Sequence, residues 1–164
     1  MTTLDSLTAV LGHLFLRVDA AQPTDPVLSA AADFWKQQRK GKVMPAHTDM
    51  ASLPAFVLPH AFYAKLAING DEHWIVSTAG SSAKLSLGLE GHEPQQVPDK
   101  RMAVRLRSLF DLVAQRAEPY SVMFELPAED GAKLLVEIFA APLTTPEPTE
   151  RQVFAVLNYR PERN

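Results

Sequence analysis

The sequence predicts an α+β domain in which helices cover one face of a five-stranded antiparallel sheet, after two N-terminal helices. Three observations predict this class. Five segments have the alternation or the β-branched and aromatic content of strands. Two links, Asn69-Gly70 and Glu129-Asp130-Gly131, are hairpin turns too short for parallel crossovers. The segment 77–119 is long enough to carry helices across the sheet.

The composition excludes several classes of function. The 164 residues are 46% hydrophobic and 21% charged with a net charge of -3, which is typical of one globular domain. The absence of cysteine excludes disulfides, thiolate zinc sites, iron–sulfur clusters and a cysteine nucleophile. The nearly balanced charge argues against nucleic-acid binding, because such modules usually carry a strong basic excess.

The N terminus lacks the features of a signal peptide. No Lys or Arg precedes Arg17, and Asp5 and His13 interrupt the apolar residues before it. Elsewhere no apolar run reaches the roughly 18 residues of a membrane span. We therefore expect a cytoplasmic protein that makes no membrane contact.

The first segment predicts a helix with a leucine seam at spacings of three and four. The seam consists of Leu4, Leu7, Leu11, Leu14 and Val18. Two interpretations stay open: the seam packs on its own domain, or Leu4, Leu7, Leu11 and Leu14 form the interface of a homodimer.

A second helix follows, with Asp25 as its N-cap, Pro26 at its first position, Trp35 on its apolar face and Gly41 as its stop.

The middle of the chain alternates irregular and regular segments. Prolines from Pro45 to Pro59 predict an irregular connection. The segments Phe62–Ile68 and Trp74–Ser77 predict the first hairpin, and Ser81–Leu89 predicts a short helix.

A long helix is predicted from the N-cap Asp99 to Glu118. Its polar side is basic, with Lys100, Arg101, Arg105, Arg107 and Arg116. We interpret this side as a solvated face; a patch for an anion or an acidic partner is the alternative.

Three more strands are predicted at 121–126, 133–140 and 153–159. The connection Pro142–Glu150 holds three prolines and three threonines, so we expect an exposed loop without core contacts.

Three stretches together resemble a known family. They are FWKQQRKG at 34–41, PAHTDM at 45–50 leading to Leu53-Pro54, and Gly80 followed by Gly88, Leu89 and Gly91. In this order they resemble the PAS-like domains found as short stand-alone bacterial proteins, from about Asp25 to Tyr159. The chain then divides into an N-terminal amphipathic helix and linker, 1–24, and a PAS-like domain, 25–164. One departure is the segment 77–80, where such domains often carry an arginine, so no ligand role of that arginine transfers here.

The resemblance implies a non-catalytic sensory or signalling domain that acts through ligand binding, protein–protein interaction or both. PAS-like domains often pair through flanking helices, which implies a homodimer, and the signal would pass to an unidentified signalling protein. Zero cysteines exclude a cysteinyl flavin adduct and a photoactive yellow chromophore. The long helix has no histidine that could serve as the axial ligand of a haem, although His92 lies just before it. The cofactor stays unknown, with a non-covalent flavin or a small apolar metabolite still open.

A cavity in such a domain has predictable walls. They are Trp74, Leu85, Leu109, Val113, Phe124, Val136 and Val156. The same residues are also the expected core, and for Trp74 a core role is commoner than ligand stacking.

The competing class is a small cavity enzyme, an isomerase or hydratase that uses a buried carboxylate or histidine. Glu137 is its best acid–base candidate, because it stands in an otherwise apolar strand. We favour a solvent-facing Glu137. No two histidines fall within four residues of each other, so no metal-ligand spacing is present.

Overall fold

The fold is built on one antiparallel sheet, seen in a computed structural model that describes residues 12–19, 23–67, 72–127, 130–147 and 149–162. Its strands are β1 (Arg17–Asp19), β2 (Ala61–Ala67), β3 (His73–Ala79), β4 (Tyr120–Pro127), β5 (Lys133–Leu143) and β6 (Gln152–Pro161). They lie in the order β1-β4-β5-β6-β2-β3. The α+β class and its antiparallel sheet are confirmed, and the five predicted strands are β2 to β6. The described residues add a sixth strand, β1.

The described residues include three helices of more than one turn, and the N-caps predicted for the first and the third of them are confirmed. The helices are α1 (Pro26–Gln38), α2 (Ser81–Leu87) and α3 (Lys100–Arg116), and short 3₁₀ turns occupy His47–Met50 and Leu58–His60. Asp25 accepts hydrogen bonds from the backbone N–H groups of Val27 and Leu28, and Asp99 does the same for Arg101 and Met102. Gly88 ends α2 with a φ of 68°, a left-handed conformation that glycine adopts without strain.

The N-terminal segment enters the sheet, which the leucine spacing did not predict. Residues 12–14 are helical, but Val18 lies in β1 and pairs with Val122 of β4. The helical interpretation of Val18 is wrong because β4 offers an edge whose hydrogen bonds the chain satisfies; the N–H of Leu16 already donates to the carbonyl of Met123 at 2.8 Å. Leu4, Leu7 and Leu11 lie outside the described residues. The division of the chain at residue 24 stays a prediction.

Helices cover both faces of the sheet, so the expectation of helices on one face is wrong. On one face, α3 packs on Val136, Ile138 and Ala140 of β5. On the other, α1 packs on Phe139 and Ala141 of the same strand. The physical reason is visible in the sequence of β5, because a nearly continuous apolar run is typical of a strand that is buried on both faces.

The connection after β5 begins later than predicted. Pro142 and Leu143 belong to β5 and are buried, so the expectation that they lie in an exposed loop is wrong. The indole Nε1 of Trp35 donates to the carbonyl oxygen of Pro142 at 3.0 Å, and the N–H of Thr144 donates to the carbonyl of Pro45 at 2.8 Å. The first bond holds the end of the strand against α1, and the second holds it against the connection that follows α1.

Candidate ligand-binding cleft

A cleft of about 280 Å³ opens between the edge strand β3 and helix α3. Its aliphatic walls come from Ala64, Val76, Val97, Ala103, Val104 and Leu106. Two aromatic side chains, Trp74 and Phe110, complete the walls, and His73, Gln96 and Arg107 supply polar groups. Mostly apolar walls with a few polar groups are typical of small-molecule sites, and this volume suits a small ligand.

Trp74 is held at a fixed angle in the cleft. Its ring meets that of Phe110 edge to face, with centroids 5.3 Å apart and an interplanar angle of 67°. Its indole Nε1 donates to Asp111 Oδ1 at 2.8 Å. The second oxygen of Asp111, Oδ2, lies 3.8 Å from Nε of Arg107. One aromatic wall is therefore fixed by α3 itself.

Gln95 frames the cleft by bridging the outer edge of β3. Its backbone exchanges two hydrogen bonds with Val76, at 2.9 and 3.1 Å. Its side-chain Nε2 donates to the carbonyls of Glu90 at 2.6 Å and Glu93 at 3.1 Å. We call this the Gln95 bridge. It fixes the segment that brings Gln96 and Val97 into the cleft.

The predicted cavity residues separate into three groups. Trp74 lines the cleft. Leu109, Val113, Phe124 and Val136 are buried in the core between α3 and the sheet, as the core interpretation expected, and the cleft lies beside them.

Leu85 and Val156 lie elsewhere. Leu85 is 85% exposed, because α2 turns Ala83 and Leu87 toward the core instead. Val156 belongs to the opposite face of the sheet, with α1, because the alternation of β6 places Ala155 and Leu157 toward α3. Both predictions of a cavity wall are wrong at these positions.

The other residues of the cleft were not predicted as cavity walls from the sequence. Phe110 carried a signal, since it falls on the apolar side of α3, but only as a core residue. Ala64 and Ala103 carried none, because a small side chain that leaves space has no periodic pattern of its own.

Glu137 is buried, with 5% of its surface exposed, so the solvent-facing interpretation is wrong. Its Oε2 accepts a hydrogen bond from the N–H of Thr24 at 2.8 Å, and its Oε1 accepts from Thr24 Oγ1 and the N–H of Asp25, both at 3.0 Å. Asp25 in turn accepts from Asn158 Nδ2 at 3.0 Å. Glu137 thus ties the start of α1 to the sheet, on the face opposite the cleft.

Two arginines on the basic side of α3 have different roles. Arg105 donates to the carbonyls of Leu14 and Arg101, and its guanidinium lies 5.0 Å from the ring centre of Phe124. Arg105 is therefore structural, and it holds Leu14 against α3. Arg107, by contrast, lines the cleft.

The described histidines form no metal site, since no group of three potential ligands occurs among the described residues. His92 is exposed, with Nδ1 2.9 Å from Nζ of Lys84. His47 stacks on Tyr63 with ring centres 4.2 Å apart. Burial raises the pKa of the Tyr63 phenol to about 12.

Among the solved structures that match this chain is one of low similarity. It is the PAS domain of an HTR-like protein from Haloarcula marismortui, at 12% identity over 64% of this chain and 85% of that chain, with a TM-score of 0.36. No protein-family model matches the chain, and no curated protein does.

In the described part of the chain, every helix is too short or too polar to cross a lipid bilayer.

Proposed function

We propose that the chain is a non-catalytic sensory domain of the PAS-like type, which works by binding a small ligand and passing the signal to a partner protein. The observation that carries the proposal is the cleft between β3 and α3, with its apolar walls and few polar groups. The ordered motifs from Phe34 to Gly91 and the antiparallel sheet flanked by helices support the same proposal.

Native mass spectrometry of the protein purified from its own cells tests ligand binding. We expect an extra mass that disappears on denaturation. Ala103→Trp should abolish it, because the indole fills the cleft beside Leu106. Leu85→Ala is the matched control, since Leu85 is exposed and lies outside the cleft. A wild-type protein that carries no ligand, or a ligand retained by Ala103→Trp, would contradict the proposal.

Ligand binding would act through the surface that the domain offers to a partner, since a ligand that prefers one conformation shifts the population toward it. Helix α3 connects the ligand cleft with the N-terminal segment. Arg107 lines the cleft, and Arg105 donates a hydrogen bond to the carbonyl of Leu14, the last of the helical residues 12–14. The homodimer, the bacterial cytoplasmic location and the signalling partner are parts of the proposal. It fails if pull-down from native cells yields no reproducible partner while the pure protein turns over a metabolite.

The enzyme alternative loses its main support at Glu137. Both carboxylate oxygens accept hydrogen bonds from Thr24 and Asp25, so the group serves the start of α1. A catalytic acid or base needs a proton path to a substrate. The arrangement at Glu137 favours a structural carboxylate instead.

A further inference from the structure

The chemical class of the ligand can be inferred from the cleft, and this inference rests on the proposed function. The deep part of the cleft is apolar and has two aromatic walls, Trp74 and Phe110. Aromatic rings pack on other rings edge to face or with an offset, and such pairs add to the effect of burial alone. Ala64 and Ala103 leave room beside these walls. An aromatic ligand therefore fits this part best.

The polar part of the cleft carries a positive charge. Arg107 lines it, and 61% of the side chain is exposed, so its guanidinium is accessible to a ligand. The contact with Asp111 is made through Nε at 3.8 Å, which is longer than a hydrogen bond. A guanidinium held this loosely can still form the paired N–H···O bonds that it makes with carboxylates.

The carboxylate of Asp111 already has two partners within the protein. One of its oxygens accepts the indole N–H of Trp74 at 2.8 Å, and the other faces Arg107. A cationic ligand would have to compete with both groups. An anionic ligand meets Arg107 on a helix whose polar side also carries Lys100 and Arg101.

We propose that the cleft binds a small aromatic carboxylate, with its ring against Trp74 and Phe110 and its carboxylate on Arg107.

Calorimetric titration with three matched probes tests this class. The probes are naphthalene-2-carboxylate, the neutral naphthalene-2-carboxamide and the cationic 2-naphthylmethylammonium. We expect the carboxylate to bind about tenfold more tightly than the carboxamide, because only the carboxylate carries a charge opposite to that of Arg107 and offers two oxygens for a pair of parallel N–H···O bonds. The cation should bind most weakly. Arg107→Gln should remove the preference for the carboxylate, so that carboxylate binding falls by about tenfold more than carboxamide binding does.

Arg116→Gln is the matched charge control. It removes one positive charge from the same helix, about 13 Å along the axis from Arg107, and outside the cleft. It should leave the preference intact. If Arg116→Gln lowers carboxylate binding as much as Arg107→Gln does, the effect is one of overall charge and the proposed contact is wrong.

The remaining outcomes separate this inference from the proposed function. Equal binding of carboxylate and carboxamide overturns the anion preference while the cleft remains a ligand site. Failure of all three probes to bind overturns the aromatic class, and native mass spectrometry then decides the proposed function by itself. Binding that survives both Ala103→Trp and the milder Ala103→Leu, in variants with wild-type unfolding curves, places the probes outside the cleft and overturns the inferred ligand class, and native mass spectrometry again decides the proposed function.

Discussion

At the scale of single residues, Glu137 shows how a buried carboxylate can be stabilised. Its two oxygens accept hydrogen bonds from Thr24 N, Thr24 Oγ1 and Asp25 N. In Glu137→Gln an amide group replaces one oxygen and faces a donor, which leaves a buried group unsatisfied. We expect the free energy of unfolding, measured in urea, to fall by about 2 kcal/mol.

Glu125→Gln is the control for this substitution. Glu125 lies on β4 and pairs with Lys133 at 3.4 Å near the surface, where an ion pair contributes little. The control should change the free energy of unfolding by less than about 0.5 kcal/mol. Equal stability of Glu137→Gln and the wild type would show that the hydrogen bonds at Glu137 do not hold α1.

The buried phenol of Tyr63 should make the free energy of unfolding depend on pH in the alkaline range. Burial raises the pKa of its phenol from 10.0 to about 12 in the folded protein. The neutral phenol therefore contributes stability that is fully present below pH 10 and is lost as the pH rises toward 12. Burial also raises the pKa of Tyr120, so ultraviolet difference absorbance of the folded protein should show Tyr63 as the last phenol to ionise, and Tyr63→Phe should remove that last step. A wild type in which all phenols titrate together near pH 10 would contradict this prediction.

At the scale of elements, α3 depends on its first turn. Asp99 accepts the N–H groups of Arg101 and Met102, and the hydrogen bond from Met102 is the main reason that the pKa of Asp99 lies below its usual 3.8. Asp99→Ala should lower the free energy of unfolding by about 1 kcal/mol at neutral pH. Because the pKa is lowered by folding, this contribution is present above pH 3.8 and is lost as the pH falls below it.

Asp33→Ala serves as the control for the cap. Asp33 is exposed in the interior of α1, so its replacement by a better helix former should not destabilise the protein. Urea unfolding at neutral and acidic pH checks both variants. A loss in Asp99→Ala that stays constant from neutral pH to well below 3.8 would argue against the capping carboxylate.

The sequence predicts most elements correctly because their signals are local. Asp25 and Asp99 cap helices through neighbouring N–H groups, and these caps depend on nothing distant. Val18 shows the limit: its spacing fits a helix, but its conformation is set by pairing with Val122, more than a hundred residues away. Pro142 shows the same limit, since Trp35 keeps it in the core. A local pattern carries no information about such partners.

At the scale of the whole molecule, the sheet has a helical layer on each side, and this arrangement decides which site predictions succeed. Leu109 and Phe124 were predictable as buried residues because apolar side chains on regular elements face a core. Their place in a packed core, beside the cleft and not along it, depends on how α3 sits on the sheet. Val156 was assigned to the wrong layer, because an apolar strand with two buried faces does not show from its residues which face meets which helix.

The oligomeric state is the prediction that belongs to this scale. If the leucine seam joins two copies, Leu7→Lys combined with Leu11→Lys should halve the mass measured by light scattering, because lysines in an apolar contact lose hydration. Leu85→Lys, on the exposed side of α2, is the control and should leave the mass unchanged. A double variant with the mass of the wild type would show that the seam is not the dimer contact.

The Gln95 bridge also bears on aggregation. A sheet exposes unpaired N–H and C=O groups along its outer strands, and another chain can add to them as a further strand. Here one outer strand, β1, is three residues long, and the other, β3, has its central residue Val76 already hydrogen-bonded to Gln95. Opening the bridge would free a seven-residue strand, His73–Ala79, for pairing with other copies. The contact that shapes the cleft thus also protects the folded protein from forming intermolecular sheets.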